Sequence, residues 1–315
     1  MKIIKIIEKI ILILIICLYS CERASLDTEY ITKNVIIIVI DGPRYSETWG
    51  DSSFSNIPQM KKISESGVLY TNFYNNGATY TIPGYTSITT GNNQEINDLG
   101  LLKPEFPSVF QYCNKKYSGN FPVSSIFASK YKISVVSDCL DSSYSGFYKP
   151  FCDCGVNGIG VGDGYRDDSI TLRKTLTSLD EEHPRLILIG FGEPDYSAHN
   201  KNWQEYIDAI KNTDSYVYQV WNFIEKDKYY KGTTAIFITN DHGRHLDNVK
   251  DGYVSHGDTC EGCRHISLLA FGPDFKKGEV IKINRELIDI PATIAMVLKF
   301  HMPTGHGNIM SELFK

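Results

Sequence analysis

The sequence predicts an α/β protein with a mostly parallel central sheet and helices on both faces. Five apolar runs rich in β-branched residues read as strands buried on both sides. They are "NVIIIVIDG" (34–42), "KISVVSD" (132–138), "RLILIGFGEPD" (185–195), "TAIFITNDHG" (234–243) and "ISLLAFGPD" (266–274). Helical patterns lie between and after them: "DDSITLRKTLTSLDEE" (167–182), "NWQEYIDAIKNTDSYVYQVWNFIEKD" (202–227) and "RELIDIPATIAMVLKF" (285–300). Strands alternating with helices give a parallel sheet covered on both faces. The chain contains no internal repeat and no low-complexity segment.

The N-terminus stands apart from this pattern. Residues 1–20 carry Lys2, Lys5 and Lys9, then an apolar run from Ile10 to Leu18. That run is too short to span a bilayer and fits a secretory signal. It ends in "LYSC", which resembles the bacterial lipobox. The resemblance implies that Cys21 is the first mature residue, that it carries lipid, and that the protein is exported and anchored to the cell envelope. The alternatives are a plain signal peptide or a short anchor helix. Residues 21–33 then form a polar linker, and residues 34–315 a single domain. Within it, 140–165 is Gly- and Tyr-rich and reads as a long irregular loop or small insertion that shapes a pocket.

The full chain of 315 residues has a formal charge of −5. Removing 1–20 takes away three Lys and one Glu, leaving about −7. This balance argues against a nucleic-acid partner, which calls for a basic face. Outside the leader lie Cys113, Cys139, Cys152, Cys154, Cys260 and Cys263, an even number suited to disulfides in an oxidising compartment. "CEGC" (260–263) reads as a local bridge stapling a loop, with a C-x-x-C zinc or redox site as its rival, and no second C-x-x-C completes a structural zinc set.

In open α/β sheets ligands sit beyond the carboxyl ends of the strands. Here those ends carry Asp41, Asp195 and the pair Asp241–His242. One such Asp ordinarily caps a turn. Three, with histidines close by, point to metal. "EPDYSAH" sets Asp195 and His199 four apart, on one face of a helical turn. "VSHGD" offers His256 in a loop. Mixed Asp and His donors suit zinc, manganese or iron better than magnesium or calcium. Two such ions about 4 Å apart can clamp both oxygens of a phosphoryl transfer.

"ATYTIPGYTSITTG" (78–91) supplies candidate nucleophiles. An alcohol needs a base or a metal beside it to attack at neutral pH. Pro83 is a good first helical residue and Gly91 a good stop, so the expected helix is 83–90. Thr86, Ser87, Thr89 and Thr90 then lie within it, pointing across it or at solvent. Thr79 and Thr81 precede it, beside unpaired N–H groups that can seat a phosphate. Residue chemistry alone leaves both open.

Asp41, the Thr81 segment, "EPDYSAH", "NDHG" and "SHGD", in that order, resemble the alkaline phosphatase superfamily. The likeness is greatest to its nucleotide pyrophosphatase/phosphodiesterase branch and runs from residue 34 to the C-terminus. "AFGPDFKKG" (270–278) also looks like a segment of that branch. The resemblance implies two zinc ions, with manganese compatible. One would be held by Asp195, His199 and His256. The other would be held by Asp41, Asp241, His242 and the hydroxyl of Thr81, which the T-x-P pattern makes the nucleophile. His265 and His306 compete with His256, while His245 and His301 have no pattern behind them. The branch usually has Asn after the proline, where this chain has Gly84, and a backbone N–H, Asn75 or Asn76 is expected to substitute. Formylglycine sulfatases carry C/S-x-P-x-R, and "TIPGY" lacks both the convertible residue and the Arg.

The expectation is an exported two-metal hydrolase of small phosphate esters that meets the membrane only through its lipid. Phosphodiesterase or nucleotide pyrophosphatase comes first and phosphomonoesterase second. A metal-binding surface lipoprotein without catalysis is the third reading.

Overall fold

The computed structural model describes residues 29–117 and 123–315. The expected signal peptide, Cys21 and most of the linker lie outside these residues. The described end of the linker is docked: the Ile31 and Thr32 N–H groups and the Thr32 hydroxyl all donate to the Asp274 carboxylate.

The strands are β1 (Asn34–Ile40), β2 (Val68–Tyr74), β3 (Ser124–Ala128), β4 (Phe151–Cys154), β5 (Leu186–Phe191), β6 (Thr234–Asn240), β7 (His265–Phe271), β8 (Glu279–Ile281) and β9 (Arg285–Glu286). The helices are α1 (Pro58–Ser64), α2 (Thr81–Thr90), α3 (Val109–Tyr117), α4 (Asp168–Glu181), α5 (Glu193–His199), α6 (Trp203–Lys226), α7 (Glu261–Arg264) and α8 (Asp289–Val297). The sheet order is β4-β3-β5-β1-β6-β7-β2-β8, with β9 beside β2. The β4/β3, β3/β5, β5/β1, β1/β6, β2/β8 and β2/β9 pairs are parallel. Among the described strands only β7, paired with β6 and β2, runs antiparallel.

The β-branched run of β1 is buried on both faces because each face is covered. Val35, Ile37 and Val39 join a core with Ile88 of α2, Phe110 of α3 and Ile294 of α8. Ile36, Ile38 and Ile40 join another with Met60 of α1, Leu179 of α4 and Ile210 of α6. Helix α6 is capped at its start, the Asn202 side chain accepting from the Glu205 N–H at 3.2 Å.

Several elements differ from expectation. "KISVVSD" is not a strand. Tight turns over Tyr131–Ser137 bury Ile133, Val135 and Val136 against the sheet rather than within it. A short apolar run does not by itself distinguish these outcomes. The strand here is "SSIFA", whose serines dilute its apolar signal. Ser124 is nevertheless buried, its hydroxyl satisfied by Asn114 Oδ1 at 2.9 Å. The predicted segment 285–300 divides into β9 and α8. The predicted loop 140–165 contains β4. Helix α2 begins at Thr81, not Pro83. Proline fits there because the first helical turn needs no intrahelical N–H donors. Gly91 ends the helix in the left-handed conformation, φ +71°.

Candidate metal centre

The centre lies at the carboxyl ends of three adjacent strands, β5, β1 and β6. Asp41 follows β1 directly, and its N–H extends the ladder to Phe191 O at 2.9 Å. Asp241 and His242 follow β6, and Asp195 and His199 lie on α5, just beyond β5. The structure brings all of these together with Thr81 and His256.

Asp41, Asp241 and His242 form the first group. His242 Nε2 lies 3.5 Å from Asp41 Oδ1 and 3.5 Å from Asp241 Oδ2. These three atoms are buried and have no hydrogen-bond partner. Their other polar atoms are engaged. Asp241 Oδ1 accepts from the N–H groups of Gly42 (3.2 Å) and His242 (2.9 Å). His242 Nδ1 meets Gly243 O at 2.9 Å, which leaves the Nε2 lone pair facing the carboxylates. Unpaired buried polar atoms are costly. Three of them converging, two acidic and one imidazole, fit a divalent cation. Thr81 stands beside this group, with its hydroxyl 3.4 Å from Asp41 Oδ2.

The second group is Asp195, His199 and His256. His199 Nε2 lies 3.2 Å from Asp195 Oδ1 and 3.2 Å from His256 Nε2, and His256 Nε2 lies 3.4 Å from Asp195 Oδ1. His256 Nδ1 contacts the Thr79 carbonyl at 2.8 Å, again freeing Nε2. His199 is held less firmly. Its side chain is 46% exposed, and Arg244 Nη2 approaches its Nδ1 at 3.3 Å. The two groups adjoin, since His242 stacks on His256 at 3.9 Å.

Electrostatics match this geometry. Burial pushes the Asp41 and Asp241 carboxyls upward, with other carboxylates nearby adding to it. Burial also drives His242 well below the usual imidazole range, keeping it neutral as a metal ligand must be. Asp195 goes the other way. Burial opposes its charge, but Lys130, the two histidines and Arg244 outweigh that and hold it well below the carboxylate range.

Two cations here escaped the sequence reading. Lys130 Nζ lies 2.8 Å from Asp41 Oδ2, 2.5 Å from Asp195 Oδ2 and 3.3 Å from Thr81 Oγ1. Its charged form is favoured by these carboxylates despite burial. Lys130 follows β3, so the strand-end rule finds it once β3 is placed at "SSIFA". Arg244, fully buried, pairs with Asp195 through Nη1. Asp168 was missed as well. It binds the N–H groups of Gly192 (2.8 Å) and Glu193 (2.9 Å), fixing the start of α5, which carries Asp195 and His199.

The other candidates lie elsewhere. Thr79 meets the second group only through its carbonyl, under His256, while its hydroxyl donates to Asp258 O at 2.7 Å. Ser87, Thr89 and Thr90 are buried, not solvent-facing, and donate to helix carbonyls. Thr86 is buried too. His265 stacks between Tyr45 and Tyr74, and the His306 backbone binds Gly91 at the far end of α2. Asn75 holds the Asp241 carbonyl at 2.7 Å, and Asn76 pairs with Arg264, so neither stands in for an asparagine at position 84. The expected phosphate seat is also reduced. Ile82 N–H is taken by Asp98 at 2.8 Å, Pro83 has none, and Gly84 N–H binds Tyr80 O at 2.9 Å. The six cysteines named above stand as free thiols.

This sheet, with two Asp/His groups at its carboxyl edge, defines an alkaline phosphatase-like protein. Its solved neighbours share the fold at low identity. The phosphonate monoester hydrolase SpPMH from Silicibacter pomeroyi superposes with a TM-score of 0.65 at 14% identity, over 89% of this chain and 76% of that one. A Vibrio parahaemolyticus protein of the alkaline phosphatase superfamily gives 0.64 at 14%, over 89% and 70%. The Agrobacterium radiobacter phosphonate monoester hydrolase gives 0.62 at 13%, over 89% and 77%. A phosphopentomutase from Herpetosiphon aurantiacus is 27% identical over 160 residues, half of this chain. The match spans 37% of that curated relative. The sulfatase family model matches residues 33–299, and the chain belongs to the sulfatase family. Within that family its position 81 is a threonine, not the Cys or Ser of the formylglycine pattern.

Proposed function

We propose that this protein is a two-metal hydrolase of phosphate esters, of phosphodiesterase or nucleotide pyrophosphatase type, with Thr81 as nucleophile. The observation that carries the reading is the Thr81 hydroxyl at the first position of α2, 3.4 Å from Asp41 Oδ2 and beside three orphaned ligand atoms. Asp41, Asp241, His242 and Thr81 would hold one divalent ion, and Asp195, His199 and His256 the other. Zinc suits these donors, and manganese is compatible. When bound, such ions supply Lewis-acid activation of the nucleophile and charge stabilisation at the phosphoryl oxygens.

The chain's own groups do the rest. Thr81 donates its hydrogen toward Asp41 Oδ2, which leaves its lone pairs for phosphorus. The Thr81 Oγ–P bond would form as the ester P–O bond breaks, the Thr81 proton passing by way of Asp41 to the departing oxygen, which gives a free alcohol and a phosphothreonine that keeps the second ester group. Water would then cleave the Oγ–P bond, its oxygen going to phosphorus as a phosphomonoester and one of its protons to Thr81 Oγ. Lys130 stays protonated 3.3 Å from Thr81 Oγ1 and meets the negative phosphoryl oxygens that the α2 N-terminus has few free amides to bind.

A phosphonate monoester and a phosphodiester each carry one negative charge on phosphorus. The names of the phosphonate monoester hydrolase neighbours therefore favour the diester over the monoester. Turnover of bis-nitrophenyl phosphate, nitrophenyl phosphate and nitrophenyl sulfate by the zinc- and manganese-loaded protein tests this. The diester should lead by about tenfold or more in kcat/KM, ~1.4 kcal/mol in the transition state. A monoester preference would assign a phosphomonoesterase, and metal binding without turnover a binding protein. We also propose export and lipid attachment at Cys21, tested by the intact mass of detergent-extracted protein.

A further inference from the structure

A second cluster of metal-binding character lies behind the His256 loop. His245, Asp258, Cys260 and Cys263 each present one donor atom, and all four atoms lie within 4.8 Å of one another. Helix α7 accounts for the cysteines. Cys260 is its N-cap and Cys263 lies one turn on, so both thiols face the same side. The half-site seen as "CEGC" is thus completed by residues outside the motif.

The histidine is the telling member. His245 is 1% exposed, and its Nε2 is buried without a hydrogen-bond partner, 3.1 Å from Asp258 Oδ2. Its Nδ1 is already engaged, by Ser255 Oγ at 3.1 Å and Asp251 Oδ1 at 3.3 Å. A carboxylate behind one imidazole nitrogen, with the other nitrogen aimed at further donors, is the usual support of a metal-bound histidine. Asp258 is prepared in the same way. Its Oδ1 accepts the Cys260 N–H at 2.9 Å, which turns Oδ2 toward the cluster. Lys250 Nζ lies 2.8 Å from that Oδ2, on a side chain 60% exposed and free to turn to solvent.

We propose that His245, Asp258, Cys260 and Cys263 form a structural zinc site, separate from the Asp/His centre. Two thiolates with one imidazole and one carboxylate make a closed tetrahedral set, and the sulfur donors select zinc over manganese. Each thiol gives up its proton as it binds. The site staples two loops that supply catalytic-centre residues. The Gly243 N–H already binds Cys263 O at 2.8 Å, next to His242. Asp258 O receives the Thr79 hydroxyl, and His256 lies two residues before Asp258.

The test uses the full chain isolated without chelator, with thiols alkylated at harvest only in a separate aliquot kept for disulfide mapping. Zinc content should fall by a single equivalent in Cys263→Ser and in His245→Ala. Cobalt-substituted wild-type protein should show thiolate-to-cobalt charge-transfer absorption in the near ultraviolet, removed by a stoichiometric mercurial. That spectrum needs no variant to fold. It also separates this site from the proposed catalytic ions, whose ligands contain no sulfur. Absence of the thiolate–cobalt band would overturn the proposal. So would a Cys260–Cys263 disulfide in the harvested protein, or unchanged zinc content in both variants.

Discussion

Gly84 of α2 packs directly against the backbone of Asp241. A Cβ at position 84 would lie 2.6 Å from the Asp241 carbonyl oxygen and 2.9 Å from its Cβ. The glycine that replaces an expected asparagine is therefore a spacer, letting α2 touch the segment that follows β6. Gly84→Asn should not create a phosphoryl-binding amide. It should displace Asp241, lower metal occupancy and cost about 1–3 kcal/mol of stability, the usual range for overpacking. Metal analysis and thermal denaturation of the purified variant check both. Full metal content with raised diesterase activity would contradict the spacer role.

Thr81→Ala should remove turnover, by about a thousandfold or more, because a covalent route loses its nucleophile. Metal content should stay nearly complete, since six other ligands remain. Thr81→Ser should retain measurable activity. Thr79→Ala should leave the rate close to wild type, because its hydroxyl serves the Asp258 carbonyl. Steady-state kinetics with the diester substrate distinguish the two threonines.

Lys130→Met should act differently with and without metal. In chelator-treated protein Lys130 is the ammonium bridging Asp41 and Asp195. Its loss there leaves buried carboxylates uncompensated, a cost of roughly 3–5 kcal/mol. Added zinc should recover much of that stability but not the turnover, if Lys130 serves the phosphoryl oxygens. Paired denaturation curves with and without zinc, alongside rates, read this out.

Asp214 of α6 should leave a pH signature. It caps α1 from across the core, accepting the N–H groups of Gln59 (2.8 Å) and Met60 (2.7 Å). Burial lifts its carboxyl from 3.8 to about 6, although the two amides oppose the shift. Between those values the folded chain holds a proton that the unfolded chain has lost. The contribution to stability is therefore full below about pH 4 and disappears as pH rises through about 6, roughly 3 kcal/mol in all. Asp214→Asn loses an acceptor at every pH but should lack this slope. Melting midpoints from pH 4 to 7 for both proteins test the sign.

The sequence made the Asp/His cluster legible because its acids coincide with strand ends. Asp41, Asp195, Asp241 and His242 all follow β-branched runs, so periodicity and chemistry pointed to the same places. Lys130 was hidden by the misplacement of β3: the serines of "SSIFA" dilute a strand that is buried all the same. Arg244 and Asp168 carry no local signal, because their roles depend on partners 49 and 24 residues away. His245 had no pattern of its own, and only the folded chain sets it against "CEGC".

The order of the sheet also dictates when the centre can come into being. Strand β1 pairs with β5 and β6, so Asp41 meets its fellow ligands only after some 200 residues have been made and arranged. No contiguous stretch of the chain carries a full ligand set. Ions bound there would therefore not nucleate folding, and long-range pairing of this kind is intrinsically slow. They would arrive late, as a lock on a sheet already closed. Zinc added during refolding should leave the early rate unchanged and slow only the reverse passage, from native to unfolded.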